Sequence, residues 1–167
     1  HMRVCTSGGA PMPVEVMKGF EEKFGVKVRE GYGLSETSPL ACFNHFEKPS
    51  KPGWVGQPIF GVEVICADED DKEVPRGERG EILIRGNNIM KGYYKRPEAT
   101  AEAFKNGWFH TGDVGIMDEE GNLSIVDRKK DMILRGGYNV YPRELEEIIM
   151  THPAVSLCAV IGVPDEK

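Results

Sequence analysis

The chain has 167 residues, 40% of them hydrophobic and 29% charged, the balance of a soluble globular protein. Its length fits one domain, or one domain and a piece of another. A formal net charge of −6 with no dominating basic tract excludes a partner held mainly through a phosphate backbone, so no nucleic acid is expected.

His1-Met2 reads as the remnant of a removed tag and is left out of fold reasoning. The stretch APMPVEVMKGFEEKFG predicts a helix. Pro13 suits its first turn, Val16, Met17, Phe20 and Phe24 repeat on one face, and Gly25 ends it. VKVRE is a short strand leading into a glycine loop, and residues 38–58 are dense in proline and glycine, as an irregular connection would be. GVEVICADED places Val62, Val64 and Cys66 on one face, and GEILIRG places Ile82 and Ile84 on one face with Leu83 opposite. The Pro- and Gly-containing link between them predicts a hairpin. A helix follows over 97–104, then a second hairpin turning at Glu120-Gly121-Asn122.

Beyond Arg128 the pattern changes. KKDMILRGGYNVYP predicts two short strands about a glycine turn, and RELEEIIMTH a helix with Leu145, Ile148, Ile149 and His152 inward. AVSLCAVIGV predicts a buried strand, far too short to cross a bilayer. A unit of about 40 residues rarely holds its own core. Residues 129–167 therefore read as an incomplete domain whose last strand lacks partners, which predicts dimerisation or exchange of the final helix and strand. Cys5, Cys42, Cys66 and Cys158 are scattered, with no C-x-x-C pair and no histidine at ligand spacing. They read as reduced, buried thiols, which fits a cytoplasmic setting and argues against zinc.

Three stretches carry chemistry. In VREGYGLSET, Gly31 and Gly33 let a backbone approach closely and Tyr32 between them offers a ring face. Ser35 can donate to a phosphate oxygen, and Glu36 can hold a hard cation. The alternative is a strand-to-loop turn with a packed tyrosine. In GWFHTGD, a carboxylate at Asp113 closing a tight turn can accept both hydroxyls of a ribose, or can simply cap the turn. His110 reads as a residue that packs or hydrogen-bonds structurally. VDRKKDMILRGG is either a solvated hairpin or a charged joint between two bodies, with Arg128 reaching a ligand and the glycines walling a channel. KGYYKRPE reads as structural.

Taken in order, SGGAP, GYGLSE, GERGEILIRG, GWFHTGD, DRKKDMI and GGYNVYPRELEE resemble the adenylate-forming superfamily, in its fatty-acyl-CoA synthetase branch, over essentially the whole chain. The resemblance implies an α+β fold. It comprises the mostly antiparallel, distorted-barrel end of a large AMP-binding domain (residues 3–128), then a hinge and the start of a small α+β domain (residues 129–167). It implies a two-step ligase. A carboxylate attacks the α-phosphate of ATP to give an acyl-adenylate and pyrophosphate, and coenzyme A then displaces AMP to give a thioester.

By position, Gly9, Ala10 and Pro11 would line the adenine and acyl pocket, with Tyr32 and its flanking Gly31 and Gly33 against the adenine. Ser35 would contact the α-phosphate, Glu36 the magnesium ion, and Asp113 with Arg128 the ribose. Lys130 would sit at the hinge, and Arg135, Gly136, Gly137 and Tyr138 would wall the pantetheine tunnel. ATP, Mg2+, coenzyme A and a fatty acid are the implied ligands. No catalytic triad is expected, because the work is positioning and charge neutralisation.

The family's Ser/Thr/Gly-rich phosphate loop lies upstream of SGGAP, and its catalytic lysine lies beyond residue 167. The chain is thus expected to be an interior piece, inactive in adenylation by itself. A peptide-synthetase-type adenylation domain, a luciferase-like enzyme and a non-catalytic nucleotide-binding scaffold are the alternatives. The longer enzyme is expected in the cytoplasm, with peripheral membrane association as the alternative.

Overall fold

The computed structural model describes residues 2–164. Strand β1 (Cys5–Ser7) precedes helix α1 (Val14–Phe24), and β2 (Val28–Tyr32) returns parallel to β1. Two-residue strands β3 (Cys42–Phe43) and β4 (Gln57–Pro58) add antiparallel neighbours, giving the order β1-β2-β3-β4. These short pairings interrupt the expected irregular connection, and β1 was not anticipated. A three-residue strand carries too little alternation to stand out in sequence.

The second sheet is built from β5 (Val62–Ala67), β6 (Arg79–Gly86), β7 (Phe104–Lys105), β8 (Trp108–Met117) and β9 (Leu123–Arg128). Its order is β5-β6-β8-β7, with β9 also on β8, and all pairings are antiparallel. Both predicted hairpins are present. The short helix α2 (Pro97–Ala103) enters directly into β7, so Phe104 is strand rather than helix. The mostly antiparallel architecture with few helices is the one expected.

The core sits where the two sheets meet. Ala41 and Cys42 pack with Val64, Cys66, Ile82, Ile84, Phe109 and Leu123. Each large apolar side chain removed from water there contributes about 1.5–3 kcal/mol. Leu83, on the opposite face of β6, is equally buried, so this strand is covered on both sides. Cys42 and Cys66 are buried free thiols, and burial pushes the Cys66 thiol up to about 12, leaving it protonated and unreactive. Cys5 and Cys158 are only half-buried.

Two helical faces differ from expectation. On α1 only Met17 is buried, while Val16 and Phe24 are 58% and 50% exposed. Gly25 ends the helix as predicted, in the left-handed region. On α3 (Pro142–Met150), Leu145, Ile148, Ile149 and the following His152 are exposed, and the helix instead turns Arg143 towards β9. Apolar periodicity marked the helices, but the present chain places little over those faces. Strands β10 (Ile133–Arg135) and β11 (Tyr138–Val140) form the predicted hairpin about Gly136-Gly137. The predicted strand after α3 does not form among the described residues. Leu157, Ile161 and Val163 are largely exposed, and none of the described strands forms a ladder with this segment.

Candidate active site

Strands β2 and β8 bring two distant residues together. The Tyr32 hydroxyl donates to Oδ2 of Asp113 at 2.5 Å. Asp113 does not close a tight turn. It lies in an excursion inside one continuous strand, where Thr111, Gly112 and Asp113 all stand opposite Ile82 of β6. The Thr111 hydroxyl donates to the Ile82 carbonyl at 2.8 Å and accepts the Asp113 N–H at 3.0 Å. Gly112 takes φ +72°, a conformation that favours glycine.

Asp113 is 8% exposed. Burial is the largest influence on its carboxyl and raises the pKa above the ordinary value. The hydrogen bond from Tyr32 and the charge of Arg128 oppose that shift without cancelling it, and Glu81 and Glu36 reinforce it. Burial and the Asp113 charge hold the Tyr32 phenol far above its usual pKa, so it acts only as a neutral donor. Arg128 Nε lies 3.7 Å from Asp113 Oδ1, with its side chain 62% exposed. That is a weak ion pair, able to turn towards a ligand.

The glycine loop has a second reason for its composition. A Cβ at Gly33 would sit 1.9 Å from the Pro39 carbonyl oxygen, so the protein's own backbone, not only a ligand, requires the bare residue. Ser35 and Glu36 lie in the 3-10 turn Ser35–Thr37, which the Thr37 hydroxyl fastens by accepting the Leu34 N–H at 2.9 Å. Ser35 is exposed. Glu36 Oε1 accepts the Tyr93 hydroxyl at 2.8 Å, and the Glu36 carbonyl accepts the Met90 N–H at 2.8 Å.

A partly open recess of about 160 Å³ is lined by Gly9, Ala10 and Pro11 from the loop after β1, by Gly31, Tyr32 and Gly33, and by Asp113 and Arg128. It opens beside a cleft of about 1130 Å³ that adds Ser35, Glu36 and Lys130 to the shared wall of Gly31–Gly33, Asp113 and Arg128. Drug-sized pockets run ~300–1,000 Å³, so the smaller recess suits one ring system and the cleft suits the remainder of a larger ligand. Arg135, Gly136, Gly137 and Tyr138 line neither space. They form the exposed tip of the β10–β11 hairpin.

Sequence reasoning missed four residues of this neighbourhood. Glu30 lines the smaller recess, is 7% exposed, and has no hydrogen-bond partner at Oε2 among the described residues. Burial raises its pKa. Arg143 comes from α3, lines the same cavity and donates to the Ile125 carbonyl at 3.0 Å. Tyr93, read as structural, holds Glu36. Glu81, read only as part of a strand, accepts the Gly112 N–H at 3.2 Å. Strand alternation flagged the positions of Glu30 and Glu81, but nothing local indicated their partners. His110 is largely buried between Asp71 at 3.5 Å and Glu81 at 3.6 Å, neither of them near it in sequence. Among the described residues no cluster of three or more His, Cys, Asp or Glu side chains is arranged to hold a metal, and no helix is long and apolar enough to cross a membrane.

This geometry matches known proteins. The family model described as AMP-binding enzyme matches residues 1–94, and that described as AMP-binding enzyme C-terminal domain matches residues 144–167. The chain is 46% identical over 163 residues to a long-chain-fatty-acid–CoA ligase of Escherichia coli O6:H1 (strain CFT073), covering 98% of this chain and 29% of that protein. It superposes with a TM-score of 0.93 on ATP-bound MatB from Rhodopseudomonas palustris, at 41% identity, covering 96% of this chain and 32% of the other. The o-succinylbenzoate CoA synthetase MenE of Bacillus subtilis, in complex with ATP and a magnesium ion, matches with a TM-score of 0.86 at 36% identity, covering 98% of this chain and 34% of the other. The chain thus spans less than a third of the length of the E. coli ligase it matches. The match over residues 1–94 takes in more than half of the chain, which belongs to the AMP-binding enzyme family.

Proposed function

We propose that the chain is part of an ATP-dependent ligase that activates a fatty acid as its acyl-adenylate and transfers the acyl group to coenzyme A. The observation that carries this reading is the convergence of Gly31–Gly33, Asp113 and Arg128 on one cavity, with Ser35, Glu36 and Lys130 along the adjoining cleft. Family membership and the likeness to a fatty-acid–CoA ligase and to two ATP-bound enzymes support it.

In this reading the smaller recess takes the adenine, between Gly9–Pro11 and Tyr32. The ribose hydroxyls meet Asp113 and Arg128. A charge-assisted hydrogen bond to an ionised carboxylate contributes about 1.5–3 kcal/mol. The Ser35 hydroxyl reaches the α-phosphate. Glu36 suits a magnesium ion: the Tyr93 hydroxyl occupies one of its roughly four acceptor positions, and magnesium commonly takes one or two carboxylates, waters and phosphates. When bound, that ion would offset charge on the triphosphate. No side chain need act as nucleophile, because the two steps join substrate to substrate and the protein positions them.

Residues 3–128 would belong to the large nucleotide-binding domain and residues 129–167 to the smaller one, with Lys130 at the joint. The exposed Arg135–Tyr138 hairpin would meet the pantetheine arm of coenzyme A once the smaller domain swings. A cytoplasmic setting fits four free cysteines.

The test is thioester formation by the complete ligase that contains this chain. Wild type is expected to form fatty acyl-CoA with release of AMP and pyrophosphate, and Asp113→Ala to raise the KM for ATP by tenfold or more. Absence of fatty-acid-dependent ATP–pyrophosphate exchange in the wild type would overturn the reading.

A further inference from the structure

We infer that Glu81 is a positioning residue that sets the ribose carboxylate and the joint with the two oxygens of one side chain. This rests on the reading of Asp113 as the ribose ligand. Glu81 lies on β6, beside the point where β8 makes its excursion. Its Oε1 accepts the N–H of Gly112, the residue before Asp113, at 3.2 Å. Its Oε2 accepts from Lys129 Nζ at 3.0 Å. The side chain is 13% exposed, whereas that of Lys129 is 52% exposed. The Lys129 N–H donates in turn to the Gly112 carbonyl at 2.8 Å, so Gly112 is held by Glu81 on one side and by the chain entering the joint on the other.

Three properties follow from this wiring. The excursion contains an unpaired stretch opposite Ile82, and its one glycine would otherwise leave it soft. Glu81 supplies an acceptor that the interrupted ladder does not. The same carboxylate reinforces the raised pKa of Asp113, so it acts on the ribose ligand through charge as well as through the backbone. Finally, Lys129 directly precedes the proposed hinge, and the exposed end of this bridge is the half that can break when the joint turns. The inner half, to Gly112, stays in the sheet. A placement of the joint is therefore tied to the placement of Asp113 without either residue touching the other's ligand.

Three variants of the complete ligase separate the two halves. Glu81→Gln keeps an acceptor for the Gly112 N–H but presents no charge to Lys129. Lys129→Met removes only the outer half, and Glu81→Ala removes both. Glu81→Ala is expected to raise the KM for ATP about tenfold. Glu81→Gln and Lys129→Met are expected to leave that KM within about twofold, while shifting the ratio of adenylation to thioester-forming rates by about twofold to fivefold. A half-exposed pair carries no more than that.

Amide hydrogen exchange in the 167-residue chain reads the inner half without catalysis. Exchange at the Gly112 N–H should accelerate about tenfold in Glu81→Ala and stay near wild type in Glu81→Gln and Lys129→Met. An unchanged ATP KM together with unchanged Gly112 exchange in Glu81→Ala overturns the proposal. So does an unchanged rate ratio in both Glu81→Gln and Lys129→Met. A wild-type ligase that forms no adenylate would overturn the functional reading instead, and Gly112 exchange would still decide whether Glu81 holds the excursion.

Discussion

Tyr32 and Asp113, 81 positions apart in the chain, share a hydrogen bond of 2.5 Å between a phenol that cannot ionise and a carboxylate that is nearly buried. The bond ties the end of β2 to the excursion in β8, so two walls of the recess are fixed to each other before any ligand arrives. Preorganisation of that kind lowers the ordering cost of binding.

Tyr32→Phe deletes the donor and keeps the ring. The stranded carboxylate should cost about 1–3 kcal/mol of stability at neutral pH, read from urea denaturation. The pKa of Asp113 should rise further, since one of the two influences holding it down is gone.

Asp113→Asn should behave in the opposite sense. The folded-state pKa of Asp113 is raised, so the protonated form is favoured by folding. Its contribution to stability is full below the unfolded value near 3.8 and is lost as pH rises through the folded value. Asparagine keeps an acceptor for Tyr32 and carries no charge. The variant should therefore be more stable than wild type at pH 7, with the gain shrinking to nothing below about pH 4. Denaturation midpoints across that range check it, and a gain independent of pH would contradict the assigned cause. The same substitution should weaken nucleotide binding, a conflict between stability and function at one carboxyl.

Gly33→Ala should be severe. Its Cβ would need space occupied by the Pro39 carbonyl oxygen at 1.9 Å, and both partners are backbone. A loss of about 3 kcal/mol or more is expected, seen as a lowered Tm or an insoluble product.

Tyr93→Phe leaves Glu36 in place and removes the hydroxyl that orients it. The magnesium concentration giving half-maximal ATP–pyrophosphate exchange in the complete ligase should rise severalfold, with the KM for ATP at saturating magnesium little changed. A part-exposed hydrogen bond from a neutral hydroxyl to a carboxylate accounts for about that much. Equal magnesium titrations for the two proteins would mean that Tyr93 only packs.

The 167-residue chain should self-associate through Leu157, Ile161 and Val163, which are 82%, 77% and 74% exposed. Light scattering over a concentration series should show dimers that give way to monomers when Leu157 and Ile161 are both changed to serine. A monomer at every concentration would rule out association through this segment.

The sequence made both hairpins, the end of α1 and the β10–β11 turn legible, because each is governed by local chemistry: alternation in Ile82–Ile84, left-handed glycines at Gly25 and Gly136. Gly9–Pro11, Gly31–Gly33, Asp113 and Arg128 were legible as a group through their motifs, and the structure brings them to one cavity. What stayed hidden depends on register and on distant partners. The excursion around Gly112 arises from how β8 pairs with β6, and no periodicity within GWFHTGD encodes that. Tyr93 finds Glu36 across 57 positions. The apolar run after α3 has strand composition, but a strand needs a neighbour, and composition does not say whether one is there.

Arg143 follows Lys130 in the chain, yet it walls the same cavity as Gly31 and Asp113. A ligand in that cavity therefore touches residues on both sides of Lys130, and its affinity cannot be independent of where α3 sits. By thermodynamic reciprocity, whatever tightens the ligand when α3 is docked must also draw α3 in when the ligand is present. On the proposed placement of a joint at Lys130, filling the cavity and docking α3 favour each other.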